Sequence, residues 1–143
     1  MNKILRAYNK TNAFGRLFGM DYKILSPTTI EYQLTVDEKF LATPTAMHGG
    51  ALAGMMDAIL GVASLNVSSK RGKVVSTIEF KINYLKPVFL GDELRGVGTV
   101  LSEGNRIIIT KGEIFNQRNE LVAIATATLN AYPWEKSDFY SEG

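Results

Sequence analysis

The sequence predicts an α+β domain in which an antiparallel sheet of about six strands wraps around one long central helix. Three observations lead to this fold class. Residues 49–65 contain only two polar side chains, Asp57 and Ser64, so a helix there is expected to be buried on nearly all sides. Strand-like runs flank it, with connections short enough for antiparallel neighbours. The chain has 143 residues, 45% of them hydrophobic, which suffices for one compact core.

The segment before the central helix is expected to contain short elements only. Residues 3–18 indicate one or two helical turns, broken near Asn12 and Gly15. The stretch YKILSPTTIEYQLTV, residues 22–36, predicts a hairpin with SPT as its turn. Residues 38–46 form an irregular approach to the helix. We expect a single domain over 1–143, with a helical segment at 1–18 and a tail at 134–143.

Four strands are expected after the helix. A polar loop, SSKRGK at 68–73, precedes the strictly alternating run STIEFKINYLKP. The predicted buried face of this run carries Ile78, Phe80, Ile82 and Tyr84. The opposite face carries Thr77, Glu79, Lys81 and Asn83. Further strand-like runs lie at 92–101, 106–115 and 121–132, with turns at SEGN and NQRNE. Such short connections predict a four-stranded antiparallel meander.

Composition argues against several classes of function. The net charge is +2, from 16 basic and 14 acidic residues without segregation by sign, so no nucleic-acid partner is expected. The absence of cysteine excludes disulfides, thiolate catalysis and cysteine-based metal sites. With one histidine, neither a metal nor another cofactor is expected. The basic N-terminus lacks the continuous apolar core of a secretory signal, so a cytoplasmic location is predicted.

The central helix approaches the length of a membrane span, but its composition favours a buried helix. An acid at the bilayer centre, here Asp57, costs about 2.5–3.5 kcal/mol on insertion scales. No membrane association is therefore expected. At 100° per residue the helix presents two stripes. The bulky stripe, suited to packing on a sheet, contains Leu52, Met55, Met56, Ile59 and Val62. The small-residue stripe contains Gly50, Ala53, Gly54, Asp57, Gly61 and Ser64.

Two glycines of the small-residue stripe require an explanation, because a glycine inside a helix costs about 1 kcal/mol relative to alanine. We expect Gly54 and Gly61 to permit the close approach of a partner helix or a narrow ligand. The only histidine, His48, and the acid Asp57 lie nine residues apart. They therefore project about 180° apart and are separated by about 13–14 Å along the axis. If both serve one site, two chains must meet antiparallel, as in a two-fold dimer.

The start of the helix suggests the chemistry of that site. Its first N–H groups have no intrahelical partner and carry the positive end of the helix dipole. Gly49 would let a carbonyl oxygen approach them, as in an oxyanion site. A carboxylate from the other chain could then attack the carbonyl carbon or activate water, which is acyl transfer to water. A lone His48 is usually a helix cap or a surface residue, and a lone Asp57 is usually structural; the pair together favours the functional interpretation.

The residues quoted resemble a known family. HGGALAGMMD, residues 48–57, is similar to the signature of hotdog-fold acyl-CoA thioesterases of the phenylacetate-pathway PaaI type. STIEFKINYLKPVFLGDELRGVGTV resembles the next two strands of that family, with a Pro-x-x-x-Gly-Asp turn between them. NELVAIATATLNAY resembles its last strand. The resemblance extends over about residues 20–132.

The resemblance implies a hotdog fold, hydrolysis of acyl-CoA, a homodimer and often a homotetramer. It implies that the Gly49 N–H polarises the thioester carbonyl and that His48 shapes that end of the site. Asp57 of the partner chain would be the nucleophile or the general base. Thr77 would orient the water, although it could equally be an ordinary strand residue. The family frequently carries Asn or Gln where this chain has Ala42, and Thr43 or Thr45 are the available substitutes.

The sequence also suggests which residues contact the substrate and which alternative functions have to be considered. Gly50 and Met56 are expected to contact the acyl substrate. The cations expected near the coenzyme A phosphates are Lys70, Arg71, Lys73, Lys86 and Arg106. An acyl-CoA-binding or sensory hotdog protein without turnover is the alternative, which Ala42 slightly favours. A hotdog hydratase or dehydratase fits the spacing of the histidine and the acid less well.

Overall fold

The computed structural model describes residues 1–140. Two short helices, α1 (Lys3–Thr11) and α2 (Ala13–Phe18), precede a hairpin of β1 (Asp21–Ser26) and β2 (Thr29–Thr35). The long helix α3 (Gly49–Ser69) follows. The remaining strands are β3 (Lys73–Tyr84), β4 (Glu93–Glu103), β5 (Ile107–Phe115) and β6 (Leu121–Pro133). Short 3-10 turns lie at Glu38–Phe40 and Trp134–Lys136. Of the predicted tail, residues 141–143 lie outside the described residues.

All six strands form one antiparallel sheet, in the order β1-β2-β4-β5-β6-β3, and α3 packs across its concave side. This confirms the predicted fold class. The bulky stripe of α3 is buried against the sheet, as expected from its spacing. Two strand glycines permit this packing. The carbonyl oxygen of Ile59 lies 2.8 Å from the position that a Cβ at Gly98 would occupy, and Gly112 similarly receives Met56.

Helix α3 is long and apolar enough to cross a membrane by length and composition, yet 61% of its most apolar window is buried inside the domain. It is therefore the buried central helix of the domain, packed against the sheet. It extends four residues beyond its predicted end, because Ser68 and Ser69 do not leave the helix. Their buried hydroxyls donate to the carbonyl oxygens of Leu65 and Asn66, one turn back. The loop before β3 is correspondingly shorter than predicted.

The predicted four-stranded meander is wrong for its first strand. Strands β4, β5 and β6 are consecutive neighbours, but β3 pairs with β6 and forms an edge of the sheet. The segment between β3 and β4 therefore crosses from that edge to the middle of the sheet, where β4 joins β2. It passes the start of α3, where Val88 accepts a hydrogen bond from the N–H of Met47. Connection length alone could not reveal this crossing, because the segment is short enough for a hairpin.

The N-terminal prediction needs one correction. The break at Asn12 is confirmed: its side chain caps α2 by accepting from the N–H of Gly15, and its backbone ends α1. Gly15 does not break the chain and lies inside α2. One member of the small-residue stripe of α3 is also placed differently. Ser64 is fully buried, and its hydroxyl contacts that of Thr110 at 2.8 Å on the sheet side.

A bulge in β3 overturns the predicted division of its faces. Thr77 pairs with Leu129 and Glu79 with Thr128, so Ile78 is an extra residue without its own partner in β6. Beyond it the alternation shifts by one, and Thr77 lies on the same helix-facing side as Phe80 and Ile82. Ile78 itself is 56% exposed. An unbroken alternation in the sequence contains no sign of this extra residue.

Candidate active site

Asp57 and Thr77 meet where the middle of α3 faces the beginning of β3. The hydroxyl of Thr77 donates a hydrogen bond to Oδ1 of Asp57 at 2.8 Å. The Asp57 side chain is half-buried. One carboxylate oxygen is thus held by the strand, while Oδ2 makes no hydrogen bond within residues 1–140. The β3 bulge, which follows Thr77, is what lets Thr77 and the later residues Phe80 and Ile82 face the helix together.

His48 is the N-cap of α3. Its Nδ1 accepts a hydrogen bond from the N–H of Gly50 at 2.7 Å, so a neutral imidazole carries its proton on Nε2. A Cβ at position 50 would lie 2.9 Å from Nδ1 and 3.0 Å from Cε1 of His48, so any other residue there would displace the imidazole. The local role of Gly50 is therefore to let the imidazole fold back over the helix start and present an Nε2–H donor.

The first N–H of α3, at Gly49, has no acceptor within the described part of the chain. It lies at the positive end of a 21-residue helix, as the sequence predicts. The carbonyl oxygen of Gly49, unlike its N–H, has a partner: it accepts a 2.8 Å hydrogen bond from the hydroxyl of Tyr84 at the end of β3. The Tyr84 ring lies 3.5 Å from the position of a Gly49 Cβ. Sequence reasoning missed this tyrosine, which its alternation marked only as a core residue.

Asp57 and Thr77 also line a cavity of about 400 Å³ between α3 and β3. The N-terminal helices cover it, and Phe139 from the C-terminal segment contributes to its wall. Gly54 and Gly61 both lie on this side of α3. A Cβ at Gly54 would lie 2.8 Å from Cζ of Phe14, so this glycine admits a ring of α2 beside the cavity that it also lines. Gly61 has no neighbour within 4 Å of its Cβ position and opens into the cavity.

The basic residues of the predicted phosphate cluster lie at two ends of the molecule. Lys73 donates to the backbone and side-chain oxygens of Asn105, and Arg71 forms a 2.7 Å ion pair with Glu103; both tie the end of α3 to the turn between β4 and β5. Lys86 lies by the start of α3 and forms a 2.7 Å ion pair with Glu120.

Two further cations are exposed and free of ion pairs within residues 1–140. Arg106 lies near the turn between β4 and β5. Lys70 caps the C-terminal end of α3. The five cations therefore do not form one cluster in a single subunit, and only Lys86 lies beside Gly49.

The structure also shows what surrounds two other predicted residues, Met56 and Ala42. Met56 is fully buried and faces Gly112 of the sheet, so it does not line the cavity in its own chain. At Ala42 the backbone N–H donates to the carbonyl oxygen of Ala46. The Thr43 hydroxyl accepts from the N–H of Ala46 at 2.9 Å and so stabilises this loop. Within residues 1–140 no group of three or more His, Cys, Asp or Glu side chains converges on a possible metal position.

The fold and the site together define a class of protein: a hotdog-fold thioester hydrolase, with a carboxylate on the central helix and a free N–H at the start of that helix. Comparison with known families agrees. The model of the thioesterase superfamily matches residues 45–123, more than half of the chain. The chain belongs to the thioesterase superfamily, and the resemblance to PaaI-like proteins is confirmed.

Individual relatives show how far the similarity extends. Human acyl-coenzyme A thioesterase 13 is 24% identical over 118 residues, which cover 82% of this chain and 83% of that protein. The medium/long-chain acyl-CoA thioesterase YigI of Escherichia coli K12 is 26% identical over 94 residues, or 57% of this chain. The matched segment spans only 60% of YigI. The PaaI protein of the E. coli phenylacetic acid degradation operon shares the fold, with a TM-score of 0.82, 23% identity and 90% coverage of each chain.

Proposed function

We propose that this thioester hydrolase cleaves acyl-CoA to a free acid and coenzyme A at a site shared by two subunits. The observation that carries the proposal is the way β3 connects the two halves of the site. Near its beginning Thr77 holds Asp57, and at its end Tyr84 holds Gly49. The named function of the human relative, acyl-coenzyme A thioesterase, supports the choice of substrate.

One chain cannot bring the two halves together. Asp57 and Gly49 are separated by eight residues of helix, about 12 Å along the axis. Thr77 and Tyr84 are separated by seven residues of strand, about 23 Å at 3.3 Å per residue. A carboxylate on the first pair therefore does not reach a carbonyl bound at the second pair of the same chain.

A second chain solves this problem through the edge of the sheet. The outer edge of β3 has no neighbour within the described residues, and Ile78, Tyr84 and Leu85 are each at least half exposed there. Antiparallel pairing of two β3 strands about a two-fold axis near Phe80 and Lys81 would place Thr77 opposite the partner subunit's Tyr84. Asp57 would then face the partner's Gly49, and each dimer would contain two identical sites.

The chemistry follows from these groups. The Gly49 N–H and the Nε2–H of His48 stabilise the oxyanion that forms when the thioester carbonyl is attacked. The partner's Asp57 either takes a proton from the attacking water or attacks the carbonyl carbon itself, forming an anhydride that water then hydrolyses. The bond between the acyl carbon and sulfur breaks, the thiolate accepts a proton, and the products are an acid and free coenzyme A. The reaction requires only these side chains and water.

We also propose roles for the residues around the start of α3, an oligomeric state and a cellular location. Gly50 acts on the substrate through the position of His48, and Lys86 is the cation placed to meet the coenzyme A phosphates beside Gly49. Lys73 and Arg106 lie at the other end of α3, where they would contact the coenzyme bound to the partner subunit. We expect a homodimer that assembles further into a homotetramer, in the cytoplasm, without nucleic-acid or membrane partners.

A panel of acyl-CoA thioesters, assayed for release of free thiol without added metal, tests the proposed function. Thiol release by the wild type that is lost in Asp57→Asn supports it. The alternative is a binding protein without turnover, which the alanine at position 42 favours. Tight acyl-CoA binding with no thiol release from any member of the panel would establish that alternative.

A further inference from the structure

The cavity beside Asp57 has a definite direction along the fold. Its lining on α3 consists of Gly54, Asp57, Ala58, Gly61 and Leu65, which share one face of the helix. Its lining on β3 runs the opposite way, from Thr77 back to Val75 and Val74. The end with Asp57 and Thr77 is the reacting end, and Leu65 and Val74 pack together at the other end.

The wall around this passage is mainly apolar. Besides the helix and strand residues, it consists of Tyr8, Asn12, Phe14, Leu129 and Phe139. Burial, followed by the charges of Tyr22 and Asp57, raises the pKa of Tyr8 to about 12, so its phenol remains neutral at physiological pH. A charged or strongly polar group would lose its hydration in such surroundings without compensating hydrogen bonds. An uncharged, largely hydrocarbon group therefore fits best.

On these grounds we propose that the cavity holds the acyl chain in the subunit that supplies Asp57, with an unbranched chain of about ten carbons as its longest well-fitted occupant, and that Gly61 keeps the passage open. The inference rests on the proposed function and specifies its substrate class as medium-chain acyl thioesters. Helices α1 and α2 form the roof of the passage, and Phe139 closes its far end.

Two lengths support this size. From Asp57 to Leu65 the helix rises about 12 Å, at 1.5 Å per residue. From Thr77 to Val74 the strand covers about 10 Å. An extended chain advances about 1.2 Å per bond, since one residue of three bonds spans up to about 3.6 Å. The passage therefore takes a chain of about eight to ten bonds beyond the reacting carbon.

The volume agrees with the length. An apolar cavity of about 150 Å³ holds benzene, or about 25 Å³ per carbon. Ten carbons require about 250 Å³ on this basis, and the cavity provides about 400 Å³. The remainder leaves space around the thioester and for a bend in the chain. An acetyl group would leave most of the cavity unfilled.

The position of Gly61 along the cavity determines how long an acyl chain can be accommodated. It is one helical turn, about 6 Å, beyond Asp57, which corresponds to about five bonds of an extended chain. A leucine side chain at this position would enter open space, since nothing lies within 4 Å of the Cβ position. It would stop the acyl chain after about five carbons, without a clash against the protein.

The test compares kcat/KM for butanoyl-CoA, decanoyl-CoA and tetradecanoyl-CoA in three test variants and one control variant. In Gly61→Leu we expect the decanoyl-to-butanoyl ratio to fall at least about 30-fold, because each buried methylene contributes about fourfold in affinity. Gly61→Ala should give a smaller fall in the same direction. Phe139→Ala should open the far end and raise the tetradecanoyl-to-decanoyl ratio. The control, Ala13→Leu, creates a leucine side chain at an exposed position of α2 that does not line the cavity, so its ratios should match the wild type.

Ratios within threefold of the wild type in folded Gly61→Ala and Phe139→Ala would overturn the inference, even if Gly61→Leu does not fold. Failure of the proposed function is recognised separately, because wild-type protein would then release no thiol from any substrate. In that case, calorimetric binding of the same acyl-CoA series to wild-type protein tests the cavity. Affinity that rises with chain length up to about ten carbons, and that Gly61→Ala reduces, supports the inference; affinity independent of chain length refutes it.

Discussion

Thr77 Oγ1 donates a 2.8 Å hydrogen bond to Asp57 Oδ1 across the junction of β3 and α3. This contact restrains the orientation of the carboxylate, because one oxygen is tied to the sheet while the other makes no hydrogen bond within residues 1–140. A water hydrogen-bonded to Oδ2 is then held in one direction with respect to a bound carbonyl. The same strand that positions the carboxylate also forms an edge of the sheet, through which we propose that two subunits pair.

The first prediction is that Asp57→Asn lowers kcat for a hydrolysed acyl-CoA by about 10²- to 10⁴-fold, the usual contribution of a general base. The amide is almost isosteric with the carboxylate, but it neither accepts a proton effectively nor attacks a carbonyl. Circular dichroism and light scattering should show an unchanged fold and oligomer. Near wild-type turnover in a folded variant would make Asp57 a structural residue.

Much of this architecture is predictable from local sequence patterns. The long helix begins at the predicted residue, and the turn between β1 and β2 and those flanking β5 lie where their residues indicate. These features depend on periodicity and turn chemistry within a few residues. The position of β3 beside β6 was not predictable in this way, because strand pairing depends on contacts between residues distant in the chain.

The candidate site, too, is predictable from local sequence patterns only in part. The helix start at Gly49 and the separation of His48 from Asp57 follow from helix geometry alone. Thr77 shares the helix-facing side with Phe80 and Ile82 because of the bulge at Ile78, which no local pattern marks. The cavity walls come from both ends of the chain, with Phe14 at one end and Phe139 at the other. Side chains assembled from such distant segments can be located only in the folded structure.

A second prediction concerns Thr77. Replacing it by valine keeps the shape but removes the hydrogen bond to Asp57, which we expect to lower kcat by about tenfold, in line with about 1.5 kcal/mol for a hydrogen bond to a charged group. Thr77→Ser should restore most of the lost activity, because it retains the hydroxyl. Equal kcat values in the valine, serine and wild-type proteins would show that Thr77 is an ordinary strand residue.

Gly50 provides a third prediction. A Cβ at position 50 would lie 2.9 Å from His48 Nδ1, so Gly50→Ala should displace the imidazole and lower kcat/KM by at least tenfold. Its stability should change by less than about 1 kcal/mol, since alanine favours the helix while the cap is lost. A double-mutant cycle with His48→Ala checks the cause. If Gly50 acts through His48, the double variant is no less active than His48→Ala; additive losses would assign Gly50 an independent role.

The fourth prediction is a pH dependence of stability at the turn before β6. Hydrogen bonds from Lys86, Asn116 and Arg118 lower the pKa of Glu120 to about 2, from an ordinary value of 4.5. A lowered pKa means that the ionised group stabilises the fold above about pH 4.5 and that this contribution is lost between pH 4.5 and 2. Glu120→Gln should therefore lower Tm at pH 7 and approach the wild type near pH 2.

The matched control is Glu38→Gln, which removes an exposed carboxylate without an ion pair in the described part of the chain. It should shift Tm less at pH 7 and show no comparable convergence at low pH. An effect of Glu120→Gln that is constant from pH 7 to pH 2 would contradict the lowered pKa.

The final prediction tests the shared site directly. A His48→Ala homodimer lacks the imidazole in both sites, and an Asp57→Ala homodimer lacks the acid in both. In a mixed dimer of these two variants, one shared site carries both defects and the other carries neither. Co-expression with two different affinity tags, followed by purification on both, isolates that mixed dimer. Up to half of the wild-type activity should return, provided that each parent is nearly inactive.

Sites contained within single chains would behave differently, because each site of the mixed dimer would then carry one defect and no activity would return. Subunit exchange must be excluded, so the tags and the mass of the mixed dimer are checked again after the assay. A mixed dimer that is folded, dimeric and as inactive as its parents would refute the shared site. Recovered activity would in turn locate the reacting carbonyl between Asp57 of one chain and the helix start of the other, because no other arrangement leaves one site intact.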